Sequence, residues 1–212
     1  MSLYGRVFAA LYDRSVASAE DRGMRERRRT VLADAHGRVL ELGAGTGLNL
    51  PLYPAGLDTL TLTEPEEPML RRLRDRAAEV GPPADGRPLD IVRAPAERLP
   101  FDDASFDTVV STLTLCTVDD LPAALAETRR VLAPGGRLLL VEHVRSPDER
   151  TARWQDRLHG PWKAFAHGCH ANLDTPAALR SAGFDASGLR DEVWVGGPFP
   201  VRPLVVGAAS PS

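Results

Sequence analysis

The run Gly43-Ala44-Gly45-Thr46-Gly47 follows directly on the apolar stretch Arg38-Val39-Leu40-Glu41-Leu42, and this junction restricts the fold more than any other segment. A short apolar run ended by glycines marks a buried strand that feeds a tight turn. Glycine at those positions lets backbone approach a ligand closely, which side chains would prevent. The chain therefore carries a ligand loop at the carboxyl end of a first strand.

Strands and helices then alternate. Leu57 to Thr63 reads as a strand, Pro68 to Val80 as a helix, and Leu89 to Arg93 as a strand. Phe106 to Leu113 follows as a strand, then Leu121 to Leu132 as a helix stopped by Pro134-Gly135-Gly136, then Arg137 to His143 as a strand. Such alternation predicts an α/β fold, a doubly wound and mainly parallel sheet with helices on both faces. Thr175-Pro176 reads as an N-cap and first helical proline, opening a helix to Ser181. Leu189 to Val195 and Val201 to Val206, separated by Gly196-Gly197-Pro198, predict a closing antiparallel pair, for seven strands in all. Before the core, Tyr4, Val7, Phe8, Leu11 and Tyr12 fall at helical spacing, and Asp21 to Arg29 reads as a solvated helix face. Residues 144–172 break the alternation and read as an inserted lid.

At 212 residues one well-buried α/β domain is expected. A formal charge of −3 supplies no basic field for nucleic acid or anionic membrane, which leaves a small molecule or lipid as the expected partner. Cys116 and Cys169 are too few and too far apart for a disulfide framework, so a reducing cytoplasm is expected. Neither a signal peptide nor an apolar run of the roughly 18 residues of a membrane span is present, and no integral membrane association is expected.

The loop spacing is G-x-G-x-G, with Leu48 where the dinucleotide fingerprint needs glycine or alanine. Glu41 adds a carboxylate at the strand end, repelling a pyrophosphate and suiting a cationic group. Both points weaken a nicotinamide dehydrogenase. Glu64 ends the second strand ~20 residues on, the placement of an acid that accepts from ribose hydroxyls. Met69 opens the next helix, where it either covers an adenine face or fills core space. Ala96-Glu97 occupies a polar loop suited to an adenine edge.

Together, Val39 to Gly47, Glu64, Leu99-Pro100-Phe101 with Phe106-Asp107, and Leu132 to Gly136 resemble the class I S-adenosylmethionine-dependent methyltransferases. The resemblance implies a Rossmann-like seven-stranded sheet and S-adenosyl-L-methionine as cofactor. It puts Glu41, Gly43, Ala44, Gly45 and Gly47 at the methionine part, Glu64 at the ribose, and Ala96 and Glu97 at adenine; Pro65 and Met69 are further expected cofactor contacts. It also implies that backbone carbonyls at Thr112 and Leu113 receive the amino group. Pro95 stands where many relatives carry aspartate, which leaves adenine to Glu97 or to backbone. More narrowly, Val110 to Val118, Glu142-His143-Val144, Gly168-Cys169 and Val201-Arg202-Pro203 resemble the methyltransferase-like seven group of thiol methyltransferases and bacterial relatives. The expected organisation is one domain over 1–212: a helical cap over 1–30, a cofactor-binding core over 38–143, a substrate lid over 144–172, and a closing helix and strands over 173–209.

Methyl transfer is an in-line displacement with the acceptor held at roughly 3–3.5 Å, so positioning supplies much of the catalysis. A thiol, with a pKa of about 8.5, needs little assistance. His143, at a strand end, is the expected base. Tyr4, Tyr12, His159, Trp162, Phe165, His167, Cys169 and His170 are the expected walls of the acceptor pocket. The spacing of His167, Cys169 and His170 matches no standard zinc pattern, and no metal is expected. A phospholipid, quinone or other acceptor is the alternative, and a non-catalytic S-adenosylmethionine-binding protein is the alternative of another class.

Overall fold

A computed structural model describes residues 12–14, 16–81, 85–166 and 168–212. Eight strands, β1 (Arg38–Leu42), β2 (Thr59–Thr63), β3 (Leu89–Val92), β4 (Phe106–Thr112), β5 (Leu132–His143), β6 (Phe184–Asp185), β7 (Leu189–Val193) and β8 (Pro203–Pro211), form one sheet in the order β3-β2-β1-β4-β5-β8-β6, with β7 also on β8. The first five run parallel and β8 runs antiparallel to β5. The expected doubly wound sheet with an antiparallel end is therefore present. The eighth strand arises because the outer edge is split. Both β6 and β7 pair with β8, at Ser210–Pro211 and Pro203–Gly207 respectively, where one continuous strand was expected. Close backbone contact at the split admits no side chain, since a Cβ on Gly207 would strike the Gly188 carbonyl.

The helices are α1 (Arg25–Leu32), α2 (Glu67–Val80), α3 (Leu121–Val131), α4 (Glu149–Phe165) and α5 (Thr175–Ser181). Local chemistry sets their starts. Pro68, Pro122 and Pro176 sit in first turns where the missing N–H costs nothing. Asp120, Asp148 and Asp174 each accept a backbone N–H from three residues on. The α5 cap is thus Asp174, and Thr175, read from sequence as the cap, is the first helical residue. Both sheet faces are covered, one by α1 and α2 around Val39, Val110, Leu139 and Val141, the other by α3 and α5 around Leu40, Val109, Leu138 and Leu140.

Two motifs have structural work to do at the sheet's amino end. Asp107 takes Arg38's backbone N–H at 2.8 Å and its guanidinium at 3.0 Å, fixing the start of β1 against β4. Arg130 and Glu127 on α3 hold the Leu99-Pro100-Phe101 loop: Arg130 donates to the carbonyls of Leu99 and Phe101, and Glu127 accepts the Leu99 N–H.

Residues 144–172 are built around α4, and one buried side chain anchors them. The Gln155 amide nitrogen donates to the carbonyls of Val144, Ala171 and Pro200, and its oxygen accepts the Ser146 N–H. A buried amide satisfied on both ends holds far better than exposed contacts. Sequence reading also took Asp21 to Arg29 for a solvated face. The structure corrects this at Arg28, which is 5% exposed and points inward because the chain bends at Gly23 (φ 100°) before α1.

Candidate active site

The carboxyl ends of β1, β2, β4 and β5 meet at the glycine loop, as expected of a crevice outside the strand ends of an open α/β sheet. Gly43, Gly45 and Gly47 all have positive φ, 54°, 59° and 81°. They differ in what surrounds them. A Cβ at Gly43 would collide with Thr114, and one at Gly47 would meet Leu73 and Leu50 within 3 Å, whereas one at Gly45 would face only Met69 Cε at 3.9 Å. Gly43 and Gly47 therefore serve packing, and Gly45 leaves open space beside Met69. Gly45→Ala is expected to cost about 1–2 kcal/mol in stability from its left-handed backbone, and to weaken S-adenosylhomocysteine binding at least tenfold by occupying that space. Calorimetric titration beside a denaturant melt separates the two effects.

Glu64 closes the other side of the loop. It accepts the Gly45 N–H at 2.9 Å and the Glu66 N–H at 2.8 Å, and burial raises its pKa to about 7 despite these bonds. Pro65 beside it receives Arg93 at its carbonyl. Ala44 and Ala96 are buried. Glu97 accepts the N–H groups of Asp119 and Asp120, so its carboxylate secures the start of α3.

Glu41 is engaged inside the protein. Asn49 donates to one of its oxygens at 2.8 Å and Tyr53 to the other at 2.7 Å. Burial raises its pKa, while the two hydrogen bonds and Arg28 oppose this. Asn49 links outward: its amide also donates to Thr112 Oγ1, and Arg28 donates to Asn49 Oδ1 and to Thr112 Oγ1 at 2.6 Å. Glu20 pairs with Arg28 at 3.2 Å. The result is a buried polar chain from β1 to β4. Arg28, Asn49 and Tyr53 were missed from sequence. Each looked ordinary in its own segment, and only the fold joins them.

Beyond Thr112 the backbone turns sharply, with Leu113 at φ 60°, an uncommon conformation for a residue with a side chain. Glu142 holds that turn. Its carboxylate accepts Ser111 Oγ at 2.7 Å and the N–H groups of Thr114, Leu115 and Cys116 at 2.9–3.1 Å. His143, one position on, faces the opposite side of the sheet, as strand alternation requires. Burial pushes its pKa down to about 4, helped by the nearby charge of Arg28 and opposed by the Val201 backbone. It stacks on Trp194 at 6.0 Å, and its Nδ1 is buried without a partner among the described residues. The ring is neutral at pH 7.

Of the expected pocket walls, Trp162, Cys169, His159 and His170 come together, with His159 and His170 rings 4.9 Å apart. Phe165 does not join them inward; it is 75% exposed at the end of α4, tilted against Trp162. Tyr12 lies near Arg28, Glu20 and Cys116, and burial raises its phenol pKa. Tyr4 and His167 fall outside the described residues. Asp13 supplies a contact that sequence reading did not find: it accepts Thr46 Oγ1 of the glycine loop and Arg76 of α2, both at 2.6 Å. Asp13→Ala should therefore loosen the cap over the loop, raising KM for the methyl donor about threefold to tenfold with little change in melting temperature. Steady-state kinetics would show it.

The family described as "Methyltransferase domain" matches residues 40–140. The thiol S-methyltransferase TMT1B of Rattus norvegicus is 36% identical over 179 residues, covering 81% of this chain and 69% of that protein. The chain belongs to the S-adenosylmethionine-dependent methyltransferases. The phosphatidylethanolamine N-methyltransferase of Cereibacter sphaeroides is 35% identical over 136 residues, 63% of this chain and 64% of that one. The crystal structure of an S-adenosylmethionine-dependent methyltransferase from Thermotoga maritima, described as a possible histamine N-methyltransferase, shares the fold. Its TM-score is 0.70 at 22% identity, over 98% of this chain and 97% of that one. This methyltransferase thus takes its methyl group from S-adenosylmethionine. The residues fit that donor: open space at Gly45, a carboxylate at the end of β2, and a sharp turn after β4. Among the described residues no helix is long and apolar enough to cross a membrane.

Proposed function

We propose that this methyltransferase methylates the thiol of a small-molecule acceptor, bound beside the ends of β4 and β5 and under α4. One observation carries the reading: the carboxylates at these strand ends are already committed, Glu41 to Asn49 and Tyr53, Glu142 to four donors, Glu64 to two amides. A buried guanidinium, Arg28, lies near the neutral His143. Such a site has little to offer an acceptor that must be stripped of a tightly held proton. It suits one that ionises readily without a strong base.

The bound cofactor supplies an electrophilic methyl group on a sulfonium sulfur. The chain's part is to hold and orient. Gly45 and Glu64, with Pro65 and Met69, keep the donor in place; Ala96 and the Leu113 turn border it. His143, whose Nδ1 has no partner among the described residues, receives the thiol proton. Trp162, His159 and His170 wall the acceptor, and Tyr12 closes it from the cap. The resemblance to TMT1B supports this reading. The chain's two cysteines, too few for a disulfide framework, favour a reducing, cytoplasmic setting. Formal charge −3 argues against a nucleic acid acceptor.

The test is a matched panel of thiols, phenols, amines and phospholipid vesicles, followed by S-adenosylhomocysteine release. Thiols are expected to lead, with rates that rise with pH toward the thiol's own pKa. His143→Ala should lower kcat on thiols about tenfold to a hundredfold while leaving cofactor affinity unchanged. An unaltered rate at every pH would remove His143 as the base. Preference for phosphatidylethanolamine vesicles would replace the thiol reading with the second one, which the Cereibacter relative favours. Tight S-adenosylhomocysteine binding with every acceptor unmodified would favour a binding protein.

A further inference from the structure

Cys116 and Cys169 are the chain's two cysteines, 53 positions apart in sequence, and the fold sets their sulfurs 3.8 Å from each other. Both are buried, 1% and 6% exposed. Cys116 lies on the turn after β4 whose amides rest on Glu142. Cys169 lies just past α4, and the following residue, His170, donates its N–H to the Cys116 carbonyl at 2.7 Å. The pair therefore sits where the lid segment meets the core, held in register by backbone.

Their surroundings divide the two thiols. The Cys116 thiol, with the Trp162 indole, lowers the pKa of Cys169, whereas the contact with Cys169, burial and Glu142 raise that of Cys116. Cys169 is also the less enclosed of the two, 6% exposed against 1%, so a small oxidant reaches it first and Cys116 lies behind it, the placement of an attacking and a resolving thiol.

We propose that Cys116 and Cys169 form a redox modification site, a dithiol that hydrogen peroxide converts into a disulfide strapping the lid to the end of β4. The Cys169 sulfur attacks one peroxide oxygen, the O–O bond breaks, and a sulfenic acid forms with loss of water. The Cys116 sulfur then attacks the Cys169 sulfur, an S–S bond forms, and the S–O bond breaks to release a second water. Two thiols and one peroxide give one disulfide and two waters: the cysteines lose two electrons and the peroxide gains them. The sulfurs must close from 3.8 Å to about 2.05 Å, a shift that side-chain rotation and slight backbone adjustment supply.

The test uses the full chain without acceptor, so its outcome is independent of which substrate is methylated. The protein is treated with hydrogen peroxide, alkylated, and analysed unreduced by mass spectrometry. The intact mass should fall by about 2 Da, one peptide pair should carry the Cys116–Cys169 link, and dithiothreitol should reverse both. Amide exchange over residues 163–172 should slow at least about tenfold, with the glycine loop unchanged. Cys116→Ser should trap a dimedone-reactive sulfenic acid on Cys169, and Cys169→Ser should form no link. Absence of the linked pair in the wild-type chain, with oxygen added to methionines alone, would overturn the proposal. So would a sulfenic acid trapped on Cys116 but never on Cys169. If either variant misfolds, the wild-type peptide map decides.

Discussion

Glu142→Ala is expected to lower the unfolding free energy by about 3–5 kcal/mol and to abolish measurable cofactor binding. The carboxylate is fully buried and takes hydrogen bonds from Ser111 Oγ and three consecutive backbone amides. Alanine leaves those N–H groups buried without an acceptor, and each orphaned donor costs about 1–3 kcal/mol where water does not replace it. The turn they hold includes Leu113 in a left-handed conformation, which persists only while its surroundings compel it. Released, it relaxes, and the strand end that borders the donor loses its shape. For a chain of this size the melting temperature should fall by roughly 10 °C. Glu142→Gln keeps one good acceptor but turns an amide N–H toward a donor, so an intermediate loss is expected. A melting temperature unchanged by the alanine variant would show that water replaces the carboxylate, and that Glu142 does not hold the turn.

Glu64→Gln has the second large effect, and it changes the pH dependence as well as the affinity. Cofactor hydroxyls donate to a carboxylate far better than to a neutral acid. A group whose pKa is raised to about 7 is only half ionised at neutral pH. Wild-type affinity should therefore climb as pH rises through about 7 and level off above it, with protons released on binding. Glutamine should weaken S-adenosylhomocysteine binding roughly tenfold to a hundredfold and flatten the profile. Stability runs the other way. Because the folded pKa lies above the ordinary 4.5, the contribution is fully present below 4.5 and is lost as pH rises through 7. Glutamine turns an amide N–H toward one of the two backbone donors that the carboxylate accepts, so the unliganded variant should lose stability at pH 5 but fall less than wild type between pH 5 and pH 8. Calorimetric titrations in buffers of different ionisation enthalpy read the proton release directly. A variant with the wild-type pH profile would take Glu64 out of the binding site.

The core was legible in the sequence because its signals are local. Glycine alternation after an apolar run, Pro-Gly-Gly after a helix, and an acid at the second strand end all declare themselves within a few residues. What failed was of another kind. Arg28 sits in a run of arginines and glutamates that reads as solvent-facing, yet it reaches Thr112 across 84 positions. Asn49 and Tyr53 look like loop residues, and their value lies in satisfying Glu41. Gln155 is one more polar residue on a polar helix until its three carbonyl partners are seen. Polar networks obey the rule that buried groups must be paired, but no periodicity says which groups are buried. The split of the outer strand was hidden for a related reason, since it depends on the contact between Gly188 and Gly207 across the sheet.

Gln155 also bears on how α4 could be exchanged between related chains. One amide fastens α4 to three separate stretches of chain, while Trp154 and Phe165 on the same helix stay largely exposed. Mounting is thus carried by a buried side chain, separate from the helix's exposed positions. The helix can therefore be treated as a cassette: its exposed positions are open to rewriting without disturbing how it is mounted. A chimaera that imports α4 from a relative should keep its footing if glutamine is retained at 155, and lose it if the graft brings an apolar residue there.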